Sequence, residues 1–389
     1  VSSTDLELSI FTRLSEAQAD WQQLKDVLHS NPYQSPGWLC SWFETVGQSL
    51  NCTPVIVVGR CRGQAVFLLP LQLERSAGIS ALTFLGHQNG NQNTGLWHAD
   101  FYQGATADEM KSHLSAVCKE VDADLLKFEN VPETWLGRDH PLVFKGATSS
   151  PSPVFARALP SDFGQLFNDT HSKSSRKNLL RKERHLQAAG NYTIAKATSP
   201  VDRQRGFDAF LEQRSVRARE AGIPNVFSAP PAKTFLSSVV GLVAAGSAQD
   251  HGARPLDLWY LEAGDRIRAT YLCAQHGKTL YAYSNSVAHD DMLPNSPGLV
   301  LIKEIIERAC CDPTIDTLDL GLGEERYKTT WAEPVPLKDS LLAMTWKGAL
   351  RMRLEAARLK AKSCIRNSSI LWPLIRRLRK MKAGFSGNS

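Results

Sequence analysis

The chain has 389 residues, of which 42% are apolar and 22% charged, enough to bury more than one core. That composition excludes a disordered, collagen-like or disulfide-scaffold chain. Its formal net charge of +6 is too small to name a partner, so where the charge sits matters more than its sum.

The first eleven residues, VSSTDLELSIF, lack the basic and long apolar regions of a secretory signal. Eight cysteines are scattered with no CxxC pair, so reduced thiols, no structural zinc and a cytoplasmic setting are expected. No apolar run approaches the ~20 residues of a membrane span. Strands are predicted over 55–60 and 65–73, with a turn at Arg62-Gly63, and a third over 81–86 after the turn at 76–79. Thr106 and Glu109 form a capping box, opening a helix with Met110, Leu114, Val117 and Val121 on one face. A short strand over 125–128 closes this β-β-β-α-β unit.

The segment SSPSP over 149–153 reads as a boundary, and helices are predicted over 174–189 and 201–220. The Pro-rich stretch 222–231 is either a connector or the lining of a site. The first pattern then returns. Strands over 256–261, 266–275 and 279–286 are followed by a helical stripe of Leu299, Ile302, Ile306 and Ala309, then a strand over 317–320. Five elements recur in order about 190 to 200 residues apart, which implies two similar units in tandem.

Chemistry concentrates in the second unit. Ser296, Pro297, Gly298 and Leu299 open its helix, where free N–H groups and the positive dipole end suit a phosphate. Downstream, LDLGLGEERYK places Asp319 inside an apolar strand and two glycines just beyond it. A charge there must be paired or used. Earlier, Lys173, Lys177, Arg181 and Arg184 fall at 4, 4, 3 spacing along one helix face, flanked by Arg176 and Lys182. Such a stripe is either a solvated face or a seat for a phosphate or an acidic glycan.

The stretches YAYSNSVAHDDMLPNSPGLVLIKEII, LDLGLGEERYKTTWA, SSRKNLLRKERHLQAAG and NPYQSPGWLCSWFE resemble, in that combination, the GNAT-superfamily acyltransferase domain of FemAB-like and cellulose-biosynthesis CelD-like proteins. The resemblance covers roughly 31–345. It implies an α/β fold of mixed sheets in two GNAT-like units, 1–150 and 151–345. It also implies acyl transfer from a thioester, usually acyl-CoA and most often acetyl-CoA, to an amine on a glycan, lipid or amino-acid-derived acceptor, in cell-envelope or polysaccharide biosynthesis. On that analogy Ser296, Pro297, Gly298 and Leu299 hold the pyrophosphate. The sequence departs here from the usual QxxGxG/A loop, which puts CoA binding in doubt.

Asp319 or Glu325 is then the candidate base and Tyr327 the acid, with Arg176, Lys177, Arg181, Tyr283, Lys328 and Trp331 facing the acceptor. Two alternatives stand beside this reading: a FemAB-type aminoacyl transfer from aminoacyl-tRNA, and a non-catalytic accessory of polysaccharide assembly. Neither metal nor DNA is expected. Finally, 346–389 reads as a basic helical tail with an apolar stripe of Leu350, Leu354, Ala357 and Ala361. The segment 347–382 carries twelve basic side chains against Glu355 alone. Such a tail either packs on its own protein or lies peripherally on an anionic membrane.

Overall fold

The computed structural model describes residues 6–24, 28–242 and 255–354. In chain order the first half contains β1 (Leu6–Phe11), α1 (Gln18–Leu24), α2 (Pro36–Trp42), β2 (Thr53–Cys61), β3 (Gln64–Ser76), β4 (Ile79–Phe84), α3 (Ala99–Gly104), α4 (Ala107–Glu120) and β5 (Leu125–Pro132). The second begins with β6 (Val154–Ala158), α5 (Phe163–Thr170), α6 (Lys173–Ala188), β7 (Thr193–Lys196), α7 (Pro200–Ala221) and α8 (Pro230–Val239). It continues with β8 (Asp257–Ala263), β9 (Arg266–His276), β10 (Thr279–Val287), α9 (Pro297–Cys311), β11 (Thr317–Leu322), α10 (Arg326–Trp331), β12 (Glu333–Val335) and β13 (Leu337–Ala343).

Local chemistry sets these limits. Pro36, Pro200, Pro230 and Pro297 each stand in the first turn of a helix, where a missing N–H is no loss. Thr106 and Glu109 cap α4 reciprocally. The hairpins β2–β3 and β8–β9 turn on Arg62-Gly63 and Gly264-Asp265, with both residues left-handed in each, the geometry that matches strand twist.

The expected repeat is present: β2-β3-β4-α4-β5 and β8-β9-β10-α9-β11 have the same order and pairing. The first sheet runs β1-β2-β3-β4-β5-β13, with shorter strands at its edges, and the second β7-β8-β9-β10-β11-β6-β12. All these neighbours are antiparallel except β4 with β5 and β10 with β11. Thus the strand closing each repeat is parallel to its neighbour.

One assignment needs correcting. The division 151–345 puts Leu337–Ala343 in the second unit, but β13 pairs with β5 in the first sheet. The chain returns because β5 would otherwise be an open edge.

Strand alternation sorts the cores. Ala269, Tyr271 and Cys273 of β9 face α9, α6 and α5, whereas Leu272 and Ala274 face α7 and α8. That second core is continuous with Trp38, Leu39 and Trp42 of α2 and with Ile56 and Val58 of β2. The two halves therefore share one apolar layer. On the far face of the first sheet, Met110, Leu114 and Val117 of α4 close a third core. No described helix is long and apolar enough to cross a membrane. Of the expected tail, 346–354 is helical and 355–389 lies outside the described residues.

Candidate functional site

β10 and β11 run side by side only from Thr279 and Thr317 to Tyr281 and Asp319. Beyond that point β10 continues to Val287 and β11 to Leu322 with no further pairing between them, so the strands part. Parted strands leave peptide groups free to meet a ligand.

A loop from the first half, residues 86–95, reaches this parting. The Gln92 amide donates to Asp319 Oδ2 at 2.8 Å, and the Asn91 amide donates to the Tyr33 hydroxyl at 2.9 Å. Gly321 has φ +72, and a Cβ there would stand 2.5 Å from Asn91 Nδ2. The glycine thus permits both the turn and the approach. Asp319 Oδ1 accepts the Gly321 N–H at 2.7 Å. Burial pushes the Asp319 carboxyl up to about 6, against the opposing pull of the Gly321 N–H, Gln92 and Lys328. Lys328 is itself buried, and burial holds its ammonium below the usual range. Its Nζ donates to Leu322 O at 2.6 Å and more weakly to Gly321 O at 3.4 Å. Lys328 therefore fastens the glycine turn, where the sequence suggested a contact with an anionic acceptor.

α10 positions the next group. The Tyr327 hydroxyl is 2.8 Å from that of Tyr271 and 3.3 Å from the Asn285 amide, which donates to it. Burial raises Tyr327 far above its usual range, so it stays protonated at neutral pH. It can donate a hydrogen bond to a departing thiolate but is a poor proton source, which narrows its expected role as an acid. Glu325 stands just before the helix, where its side chain makes no capping bond and lies 3.7 Å from the Arg217 guanidinium. Tyr283 sits among Trp38, Tyr33 and Phe227, at ring separations of 5.1, 5.9 and 6.4 Å. Close by, Arg214 lies 5.3 Å over the Phe227 ring, and burial lowers its pKa.

Trp331 is a correction. It is 2% exposed and stacks on Phe167 at 5.8 Å and against His171 at 4.4 Å. It belongs to the core beneath α5 and cannot face an acceptor.

The other candidates form a second group. Ser296 is left-handed at φ 50 and precedes α9, and Lys182 Nζ of α6 donates to its Oγ at 2.7 Å. A cation and a helix N-terminus thus converge, which fits an anion. Nearby Asp290 and Asp291 are neutralised by buried Arg268 at 2.7 and 3.1 Å. Gly298 also has a packing reason, since a Cβ there would meet Val287 Cγ2 at 2.8 Å. On α6, Arg176 donates to the carbonyls of Asn168 and His171, and Arg181 to Asn178. The helix's one acid, Glu183, turns inward to Lys303 at 3.2 Å. Among the described residues, Lys173, Arg176, Lys177, Arg181, Lys182 and Arg184 have no carboxylate within 4.0 Å. No hydrogen bond or ion pair among them joins this group to Asp319 or Tyr327.

Sequence reasoning missed Tyr33, Asn91 and Gln92. Asn and Gln in GHQNGNQNTG read only as a polar loop, and nothing in their spacing points to a partner 227 positions away. Among the described residues no cluster of His, Cys, Asp or Glu is placed to hold a metal.

Residues 173–329 match the family model described as the acetyltransferase (GNAT) domain. FemX is similar in fold at 9% identity and TM-score 0.55, covering 86% of this chain and 97% of its own. A conserved protein of unknown function from Bacteroides thetaiotaomicron matches at 11% and 0.53, over 87% of this chain and all of its own. The C-terminal domain of a putative lysylphosphatidylglycerol synthetase from Agrobacterium fabrum matches at 9% and 0.50, over 88% and 97%. No curated protein sequence matches significantly.

Proposed function

The chain carries a GNAT-superfamily domain on a fold shared with FemX, and from that footing we propose that it is an N-acyltransferase. It moves an acyl group from an acyl-CoA to an amine at the parting of β10 and β11. The observation that carries the reading is Asp319, a buried carboxylate at that parting whose pKa of about 6 suits a base near neutral pH. An amine of pKa about 10.4 must lose a proton to attack, and Asp319 receives it. The Tyr327 hydroxyl, steadied by Tyr271 and Asn285, stabilises the sulfur that leaves. Lys328 holds the turn that keeps both in place, while Arg217 ties down Glu325, which is the weaker candidate for base. Ser296, Gly298 and Leu299, with Lys182 beside them, form the seat for the donor's phosphates; Pro297 sets the helix start. Acyl-CoA supplies the thioester and the acceptor the amine, while the base, the hydroxyl donor and the phosphate seat belong to the chain.

The acceptor is an amine on a glycan, lipid or amino-acid derivative, as in cell-envelope or polysaccharide assembly. The cations of α6 favour one further reading, transfer from aminoacyl-tRNA, because a stripe of unneutralised charge suits a phosphodiester backbone. Calorimetry decides the donor. Acetyl-CoA is expected to bind, and Lys182→Ala to weaken it about tenfold. Binding of aminoacyl-tRNA with no binding of acetyl-CoA supports the second reading. No binding of either leaves an accessory protein.

A further inference from the structure

Helix 346–354 presents its apolar side outward. Trp346, Leu350 and Leu354 recur every fourth residue and are 74%, 50% and 50% exposed. The opposite side is seated on the turn before β5. There Gly348 is buried, and a Cβ on it would stand 2.0 Å from Asp124 O, so glycine alone permits the approach. The Met344 N–H donates to that same carbonyl at 2.9 Å, and the Thr345 hydroxyl donates to the Asp124 carboxylate. The helix is therefore fixed with a stripe facing water that a globular helix would bury. Lys347 and Arg353 border the stripe, and Arg351 follows one turn after Lys347.

We propose that this face docks on an anionic lipid surface. Trp346, Leu350 and Leu354 enter the headgroup boundary, while the flanking cations meet lipid phosphates. Charge selects this occupant. A second copy packed on the same face would set Lys347 and Arg353 against their own counterparts. Folding 355–389 back over the stripe would bring nine more cations to the same two. The stripe continues in sequence through Ala357 and Ala361, and the net charge of 347–382 is +11, both in keeping with a surface rich in phosphate. The proposal is independent of the acyl transfer.

Flotation of the full chain with vesicles tests it, using phosphatidylcholine alone and phosphatidylcholine mixed with phosphatidylglycerol. The unaltered chain is expected to float only with the anionic vesicles, and less so as salt rises. Trp346→Ser with Leu350→Ser, and separately Lys347→Glu with Arg353→Glu, are expected to lower binding about tenfold each. All four side chains border solvent, so unchanged circular dichroism verifies folding. No flotation of the unaltered chain overturns the proposal. So does undiminished flotation of the serine variant, which would place all binding in 355–389. A lipid-independent dimer abolished by the serine substitutions also overturns it.

Discussion

Asp319 sits where a charge is least welcome, and its pH behaviour follows from that. The folded value of about 6 lies above an unfolded value of about 3.9, so the fold prefers the neutral acid. Its contribution to stability is complete below about pH 3.9 and is lost as pH rises through about 6, a difference of about 3 kcal/mol. Asp319→Asn removes the ionisation, so its urea midpoint is expected to gain on the unaltered chain between about pH 4 and pH 7. A constant gap across that range contradicts the assignment. Trp331 makes a contrasting case. Trp331→Ala is expected to cost about 3–5 kcal/mol through the cavity left among Phe163, Phe167 and His171. Thermal melting checks that loss, and whatever enzyme remains folded is expected to keep its KM. At this scale the sequence exposed Asp319 because a carboxylate in an apolar strand is conspicuous. It misread Trp331 because being near a motif does not say which way a ring points.

Among the elements, the glycine turn at the end of β11 decides whether the two halves meet correctly. Gly321→Ala is expected to cost about 1–3 kcal/mol, because it combines a left-handed backbone with a Cβ 2.5 Å from the Asn91 amide. Gly323→Ala has a strained φ of +99 but open space, so its cost is expected to be about 1 kcal/mol. Chemical denaturation of the pair checks the ranking, and equal losses would mean that Asn91 simply moves aside. Both β-β-β-α-β repeats were legible because strand alternation, hairpin turns and the Thr106 capping box are local signals. The loop 86–95 was not, since its function depends on Gln92 meeting Asp319 across the junction, and pairings between distant segments leave no periodicity.

Across the whole molecule, the modest net charge conceals two basic segments in an otherwise acidic sequence. Residues 173–184 carry a net +5 and 347–382 a net +11, against +6 for the entire chain. Where described they sit on different parts of the fold, since α6 adjoins Ser296 through Lys182 whereas helix 346–354 is seated by Asp124 on the first sheet. The tandem architecture could be read from repeated order, but the return of β13 to β5 could not, because its pairing partner lies some two hundred residues earlier. The return places β13 beside β5 in the first sheet, apart from the parting of β10 and β11 in the second where acyl transfer is proposed. The pH profile of kcat/KM for acyl transfer, measured on the unaltered chain and on Asp319→Asn, tests that reaction most directly. In the unaltered chain the rate is expected to rise with a midpoint near pH 6. The variant is expected to lose that limb along with about a hundredfold in rate. An Asp319→Asn enzyme of normal rate and unchanged profile would contradict it.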